Sequence, residues 1–282
     1  MSLMDLYFSK WLHPGESRSI NVGSLHRSYV VHVPKQPAAS APLPVVLALH
    51  GATMNGAMMA WFTDLNRKAD EAGFLAVYPN GTGRRSSLFW NGGNCCGWAM
   101  QNNIDDVAFI NALLDELMKD YAIDTRQIFA TGMSNGGIMV YRLAAELSHR
   151  IAAVAPVAGC METAMGNLKR PVSLLHFHGT DDDFVPFKGG KGKKSITGTP
   201  FRSVEQSIEI WVKANGCPES PAVDVLSQDG DGMTVTRKTY GPGKDGAEVA
   251  LIAIEGGGHT WPGKNRPPRF SATRHSTSRQ MT

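Results

Sequence analysis

The amino-acid sequence predicts an α/β fold with a mainly parallel central sheet and helices on both faces. A continuous apolar run at Pro44–His50 is typical of a strand that is covered on both sides. From there to Ile254, strand-like and helix-like apolar spacings alternate, as expected for parallel strands joined by right-handed crossovers. The chain has 282 residues, 42% of them hydrophobic and 19% charged, which is enough to bury one substantial core.

The first half of the chain begins with β-structure. Ser19–Val22 and Ser28–Val33 flank Gly23-Ser24, which suits a turn between two strands. After the Pro44–His50 strand, the apolar periodicity predicts a helix at Ala60–Ala72, a strand at Phe74–Tyr78 and a long helix at Asn103–Tyr121. Asn103 or Asp105 can cap that long helix, because a short polar side chain accepts hydrogen bonds from its first amides.

The second half continues the alternation. Its predicted elements are a strand at Gln127–Thr131, a helix at Asn135–Ser148, strands at Ala152–Val157 and Val172–His178, a helix at Ser203–Ala214, and strands at Thr234–Tyr240 and Val249–Ile254. Two long loops, Gly81–Asn102 and Phe184–Pro200, lack any periodicity, and such loops in a compact domain are usually functional or disordered. The first contains Trp90 and Trp98, which favours a loop that faces the substrate.

Charge and hydropathy exclude some classes of partner. The apolar runs are too short to cross a bilayer as a helix, so we expect no membrane partner. The net charge is +3, and the residues from Gly256 to Thr282 include no acid. Such a basic tail could touch nucleic acid, but aromatic residues for base stacking are missing beyond Phe270, which favours a solvated terminus and no nucleic-acid partner. The sequence does not predict the oligomeric state.

The N-terminus bears on the compartment. Met1 to Leu6 show no basic region followed by a long apolar stretch, so no secretory signal is expected in this chain. This favours the cytoplasm if the chain is complete, and secretion if a signal was removed. The compartment therefore stays open.

The strongest chemical signal is Gly132-Met133-Ser134-Asn135-Gly136. It matches G-x-S-x-G, and it lies between a predicted strand and a predicted helix, which is the setting that a nucleophile elbow requires. The glycines allow a tight turn with close packing of helix on strand. We predict that Ser134 is a nucleophile at a helix N-terminus, where the local field favours developing negative charge.

A serine nucleophile needs a base, and in this kind of fold the histidine follows the acid along the chain. The candidates after Ser134 are His149, His176, His178, His259 and His275. We select His259, because its glycine-rich loop directly follows the Val249–Ile254 strand. We expect His149 to face solvent and the two strand histidines to serve packing or hydrogen bonding.

The acid is expected in a loop between Ser134 and His259. Asp181, Asp182 and Asp183 directly follow the Val172–His178 strand, and the pattern does not choose among them. A turn or a calcium loop are the alternatives, but calcium ligands usually alternate along the chain, so we expect no metal site. For the oxyanion we expect the amides of Asn135, after the nucleophile, and Ala52, after the Pro44–His50 strand.

Together these segments resemble the α/β-hydrolase family that joins poly(3-hydroxybutyrate) depolymerase-like esterases with the feruloyl and acetylxylan esterases of carbohydrate esterase family 1. The similar stretches extend from about Arg27 to Gly263. They are RSYVVHVP, LHG, CCG, DDVAFI, GMSNGG, APVAG, HGTDDDFVPF, WVKANGC and GGGHTWPG. This combination is much more specific than any single motif.

The resemblance implies roles for individual residues. The family pattern HGTxDxxVP carries the acid onto Asp182, and GHTWPG carries the histidine onto His259 and implies that Trp261 lies beside the acyl group. Asp105-Asp106 resembles a structural helix start. The family usually ends in an amphipathic helix, whereas only Phe270, Ala272 and Met281 are apolar after Gly263. We therefore predict one domain over 1–282, with a catalytic core at about 17–263 and a basic tail at 264–282 that lacks this helix or is cut short.

The resemblance implies hydrolysis of small-molecule or polymer-linked carboxylic esters without a cofactor. The preferred substrates are feruloyl, other aryl or acetylxylan-type short-acyl esters, and the alternative is a polyester of the poly(3-hydroxybutyrate) type. An acyltransferase or peptidase with the same residues, and a silent binding module on the same fold, are the other hypotheses. For the cysteines, we hypothesise a disulfide from Cys95 or Cys96 to Cys160 or Cys217.

Overall fold

The computed structural model describes residues 15–35, 41–84, 87–228 and 234–263. Its strands are β1 (Glu16–Val22), β2 (Leu25–His32), β3 (Leu43–Leu49), β4 (Leu75–Pro79), β5 (Thr82–Arg84), β6 (Ser87–Phe89), β7 (Ile123–Met133), β8 (Ala153–Val157), β9 (Ser173–Gly179), β10 (Ala222–Gln228), β11 (Thr234–Tyr240) and β12 (Val249–Ile254). Its α-helices are α1 (Gly56–Thr63), α2 (Leu65–Ala72), α3 (Gly97–Gln101), α4 (Asp106–Asp120), α5 (Asn135–Glu146) and α6 (Val204–Asn215).

A ten-stranded sheet runs through the molecule in the order β1-β2-β4-β3-β7-β8-β9-β12-β11-β10. The central strands from β4 to β12 in this order are parallel, and an antiparallel pair extends each edge. Because parallel strands end at the same edge, the loops after β3, β7, β9 and β12 meet there. These loops hold the candidate site residues.

Helices cover both faces of the sheet, which confirms the predicted fold class. The helices α4, α5 and α6 pack on one face around a large core that includes Leu47, Ile110 and Trp211. The helices α1 and α2 pack on the other face, over β2, β4 and β3. None of the helices in the described part of the chain is long and apolar enough to cross a membrane.

The start of α4 carries a structural ion pair. Asp105 caps the helix by accepting a hydrogen bond from the amide of Ala108 at 2.8 Å. Asp106 is completely buried, and its Oδ1 accepts a 2.6 Å hydrogen bond from Arg27 on β2 while its Oδ2 accepts one from the amide of Asn91. Asp106 thus fastens the helix to the sheet and to the loop before α3, which agrees with the structural reading of this pair.

Several predicted elements differ from the structure. The single helix predicted at Ala60–Ala72 is two helices, because Asp64 adopts a left-handed conformation (φ 56°) between them. The loop Gly81–Asn102 contains the β5–β6 hairpin and α3, and the edge strand β10 was not predicted at all. The N-terminal residues and the basic tail at 264–282 lie outside the described residues.

Candidate active site

The candidate nucleophile Ser134 lies in a strained turn between β7 and α5. Its backbone has φ 58° and ψ −123°, a conformation that costs a non-glycine residue about 1–3 kcal/mol. Its side chain is only partly buried, between buried neighbours. The turn therefore leaves this hydroxyl accessible at the C-terminal edge of the parallel strands.

Glycines allow this turn to pack closely against the end of β3. A Cβ atom on Gly136 would lie 2.6 Å from the carbonyl oxygen of His50, and one on Gly132 would lie 2.7 Å from the carbonyl oxygen of Gly136. Both distances are far below van der Waals contact, so only glycine fits without moving the backbone. The G-x-S-x-G pattern thus has the steric cause that the sequence predicted.

The loop after β3 lies directly beside Ser134. A Cβ atom on Gly51 would be 3.6 Å from the Cβ atom of Ser134. The amide of the next residue, Ala52, donates no hydrogen bond within the described part of the chain. Asn135 is the first residue of α5, where helix amides have no acceptor inside the helix. The amide of Ala52, one residue after this contact, and the amide of Asn135, one residue after Ser134, are therefore available to an external oxygen.

His50 fixes the loop that carries Ala52. This buried ring donates from Nδ1 to the carbonyl oxygen of Gly51 at 2.8 Å and accepts at Nε2 from the amide of Gly81 at 2.9 Å. Burial lowers the pKa of His50 to about 4, so the ring is neutral at neutral pH. The sequence patterns assigned no role to this residue, although its place between β3 and Gly51 was the available signal.

Trp90 supports the same loop and does not face the substrate. Its indole is completely buried, packs against the tilted His50 ring with ring centroids 5.0 Å apart, and donates from Nε1 to the carbonyl oxygen of His50 at 3.0 Å. The expectation of a substrate-facing loop, which was based on Trp90 and Trp98, is therefore wrong for Trp90. Trp98, in α3, is half-buried.

His259 and Asp182 are joined by a hydrogen bond. Nδ1 of His259 lies 2.7 Å from Oδ2 of Asp182. The Asp182 side chain is fully buried, and its Oδ1 accepts hydrogen bonds from the amides of Phe184 and Val185 at 2.8 and 2.9 Å. Burial alone would raise the pKa of Asp182, but hydrogen bonds from His178 and His259 hold this pKa well below its usual range. The carboxylate is thus ionised and directed at one imidazole nitrogen.

The three adjacent aspartates have different environments. Asp181 is exposed, and Asp183 forms an ion pair with Lys194 at the surface. Asp182 is the member of this triplet that points inward and meets His259. A turn that alternates between solvent and core thus separates three side chains that their position after the strand did not rank and that only the family resemblance distinguished.

Other residues near His259 have distinct positions. The ring of Phe184 packs against the imidazole with centroids 4.9 Å apart, a contact that sequence analysis missed although Phe184 lies in the HGTDDDFVPF segment. Trp261 is half-buried and packs on a cluster of buried residues that includes Met133, and Met54 packs on the same cluster. His149 is exposed, as predicted, and His275 lies outside the described residues.

The cysteine hypothesis was wrong. Cys95 forms a disulfide with its neighbour Cys96, whereas Cys160 and Cys217 are buried free thiols. The carbonyl oxygen of Cys95 accepts a hydrogen bond from Gly92, and the amide of Cys96 donates to Trp90, so the paired cysteines close the Trp90 loop on itself. The disulfide is thus local and does not link this loop to Cys160 or Cys217.

A cavity of about 260 Å³ lies behind the His259 loop. Its lining includes Val157, Phe177, Ile254 and Thr260, but neither Ser134 nor His259. The space is mainly apolar and lies at the ends of β8, β9 and β12. Gly258 and Thr260, the residues on either side of His259, also line it, so the cavity borders the candidate site.

Comparisons with known proteins point to one family. The family model described as Esterase PHB depolymerase matches residues 27–176. A protein of Nocardia uniformis subsp. tsuyamanensis named as the esterase NocK is 30% identical, and the match covers 94% of this chain and 79% of that protein. Feruloyl esterase B of Piromyces equi is 28% identical over 83% of this chain, and the match spans 42% of that longer protein.

A solved structure has a similar fold. Acetyl xylan esterase from Aspergillus awamori superimposes with a TM-score of 0.64 at 16% identity, and the match covers 88% of this chain and 95% of that one. At this identity the likeness shows the fold, which is the α/β-hydrolase fold.

Proposed function

The chain belongs to the family of PHB depolymerase-type esterases and is a carboxylic ester hydrolase, and from this premise we propose that it acts through an acyl-enzyme on Ser134. In this proposal His259 is the general base, Asp182 orients and stabilises its imidazole, and the amides of Ala52 and Asn135 bind the oxyanion. The 2.7 Å contact between His259 Nδ1 and Asp182 Oδ2 is the observation that carries it. With Nδ1 held by the carboxylate, Nε2 is the nitrogen left to accept a proton.

Acylation follows from these roles. Oγ of Ser134 attacks the carbonyl carbon of the ester, and its proton passes to Nε2 of His259. The carbonyl oxygen becomes an oxyanion and accepts hydrogen bonds from the Ala52 and Asn135 amides. When the tetrahedral intermediate collapses, the bond to the alcohol oxygen breaks, and His259 returns the proton to that leaving alcohol.

Deacylation repeats the sequence with water. His259 removes a proton from the water as its oxygen attacks the acyl carbon. Collapse breaks the bond to Ser134, whose oxygen regains the proton, and the carboxylic acid is released. The low pKa of Asp182 supports this cycle, because an ionised carboxylate stabilises the imidazolium that forms in each half.

For the substrate we propose feruloyl, other aryl or acetyl esters, in small molecules or attached to a polymer. The half-buried indole of Trp261, two residues after His259, supports an aromatic acyl group. The similarity to feruloyl esterase B of Piromyces equi supports it as well. The alternative is a 3-hydroxybutyrate polyester, which the description of the matched family favours.

The test replaces Ser134 with alanine and measures hydrolysis of acetyl, butyryl, feruloyl and hydroxybutyrate esters. Ser134→Ala should abolish all hydrolysis and labelling by a fluorophosphonate probe while leaving the circular dichroism unchanged. Ser19→Ala, which changes an exposed serine on β1, is the matched control and should keep both. If folded Ser134→Ala protein kept most of the activity, the assignment of Ser134 as the nucleophile would be wrong. Labelling without turnover of any ester in water would point to an acyltransferase.

A further inference from the structure

Three buried side chains behind Asp182 form a continuous line of hydrogen bonds. The hydroxyl of Tyr141 on α5 lies 2.8 Å from Nδ1 of His176 on β9. Nε2 of His176 lies 3.0 Å from Nδ1 of His178, and the two rings are stacked. All three side chains are at most 1% exposed, so water does not compete for these bonds.

The line has one direction, which its last member imposes. Nε2 of His178 lies 2.8 Å from the carbonyl oxygen of Val185 and 3.4 Å from Oδ2 of Asp182, and both of these oxygens can only accept. Nε2 must therefore carry a proton. In a neutral ring Nδ1 then accepts, so Nε2 of His176 donates to it, and the Tyr141 hydroxyl donates to Nδ1 of His176.

Two members of the line stay uncharged. Burial holds the pKa of His176 well below its usual value and raises the pKa of Tyr141 well above its own. Both side chains therefore keep their proton at neutral pH, and their hydrogen bonds hold the orientation of the His178 ring.

The end of the line closes around the Asp182 turn. His178 donates to the carbonyl oxygen of Val185, and the amide of Val185 donates to Oδ1 of Asp182. The same N–H of His178 faces Oδ2, the oxygen that meets His259. Both oxygens of the carboxylate are thus fixed by groups that depend on the orientation of the His178 ring.

We propose that His178, oriented by His176 and Tyr141, is a positioning residue that holds the Asp182 carboxylate at the place from which it orients His259. The proposal rests on the proposed function, because it acts through Asp182 and His259. It assigns a purpose to two strand histidines that take no direct part in the ester chemistry.

Two substitutions of His178 by amide side chains of different length test the proposal. The amide nitrogen of His178→Gln can replace Nε2 and reach Val185, whereas the shorter side chain of His178→Asn can replace only Nδ1 and keep the bond to His176. We expect His178→Asn to lower kcat by about 10- to 100-fold, since a misplacement of about 1 Å can cost that much. KM should change little, and His178→Gln should recover most of the loss. Rates are counted per active site titrated with a fluorophosphonate.

A double-mutant cycle separates positioning from general stability. If His178 acts through Asp182, adding His178→Asn to Asp182→Asn should cost little further kcat, because the carboxylate that it positions is already gone. Losses that multiply would overturn the proposal. The proposal would also be overturned if His178→Asn and His178→Gln lowered the melting temperature equally and kept the wild-type kcat per titrated site.

Tyr141→Phe gives a second measurement if His178→Asn does not fold. It removes one hydroxyl at the far end of the line, and it should lower kcat in the same direction with KM unchanged. An unchanged kcat would overturn the proposed line. Failure of the proposed function would be a different result, because Ser134→Ala and Asp182→Asn would then remain active.

Discussion

The side chain of Asn135 forms hydrogen bonds with both main-chain polar groups of Trp90. The side-chain Oδ1 of Asn135 accepts from the amide of Trp90 at 2.7 Å, and Nδ2 donates to the carbonyl oxygen of Trp90 at 3.0 Å. Asn135 begins the helix after Ser134, and Trp90 supports the loop of His50. One buried amide side chain therefore joins the two segments that carry the proposed oxyanion donors.

We predict that Asn135→Ala destabilises the protein by about 1–3 kcal/mol, because it leaves the buried amide of Trp90 without an acceptor. Urea unfolding would measure the change in the free energy of unfolding. Asn102→Ala is the matched control, since it removes an exposed asparagine that bonds the carbonyl oxygen of Trp98. Equal losses in the two variants would contradict a special role for the Asn135–Trp90 pair.

The aspartate triplet gives a prediction about rate. Asp182→Asn should lower kcat by roughly two to four orders of magnitude, as loss of the carboxylate does in comparable triads. Asp181→Asn and Asp183→Asn are the matched controls and should remain near the wild type, because one side chain is exposed and the other pairs with Lys194. Similar losses at all three positions, measured with a p-nitrophenyl ester, would indicate a structural or metal-binding cluster.

His50 predicts how stability depends on pH. Its pKa is about 4 in the folded protein and close to 6.5 in the unfolded chain. Between these values the unfolded chain binds more protons, so the free energy of unfolding rises with pH and falls as the pH is lowered from 6.5 to 4. For this one ring the full loss is about 3 kcal/mol, and buried His176 adds to it in the same direction.

Urea unfolding of the wild type and His50→Gln at pH 6.5, 5.5 and 4.5 would check this. The variant should be less stable at pH 6.5 and should show a shallower dependence on pH, because one titrating group has been removed. His149→Gln, at an exposed histidine, should leave the slope unchanged. If His50→Gln keeps the wild-type slope, other groups produce the acid sensitivity.

The order of the elements and the turn around Ser134 could be predicted because both depend on local patterns. Buried parallel strands have continuous apolar runs, and a nucleophile turn needs glycines next to its serine. The break at Asp64 could not be predicted, since the apolar spacing of Ala60–Ala72 is continuous and the left-handed residue is an aspartate. The edge strand β10 was missed because it is not buried. Its Val223 and Val225 are more than half exposed, so it does not have the continuous apolar run that identifies a buried strand.

Features that depend on contacts between residues far apart in the chain were harder to predict from the sequence. A tryptophan in a polar loop suits a substrate contact and a buried support equally well, and only the position of His50 decided the case for Trp90. Which cysteine pairs with Cys95 depends on the conformation of the loop, and the residue types alone do not determine that conformation. The strand histidines were assigned to packing or hydrogen bonding, but their alignment toward Asp182 depends on the side-chain geometry of β9 and α5.

Trp261 tests the acyl specificity. Its half-buried indole packs on the cluster that includes Met133, which precedes the nucleophile. Met54, which follows the Gly51–Ala52 loop, packs on the same cluster. A flat acyl group stacked on this indole would gain about 0.5–1.5 kcal/mol beyond the burial of its surface. Trp261→Ala should therefore lower kcat/KM for a feruloyl ester by about 2- to 10-fold more than for an acetyl ester.

Trp61→Ala is the matched control, because Trp61 on α1 is 48% exposed, and it should leave the ratio of the two kcat/KM values unchanged. Suppose that Trp261→Ala instead loses both activities equally with no change in melting temperature. The indole would then act on the placement of His259, two residues away, and not on the acyl group. The case for an aromatic acyl site would rest on half-buried Trp98, since Trp90 is committed to the core.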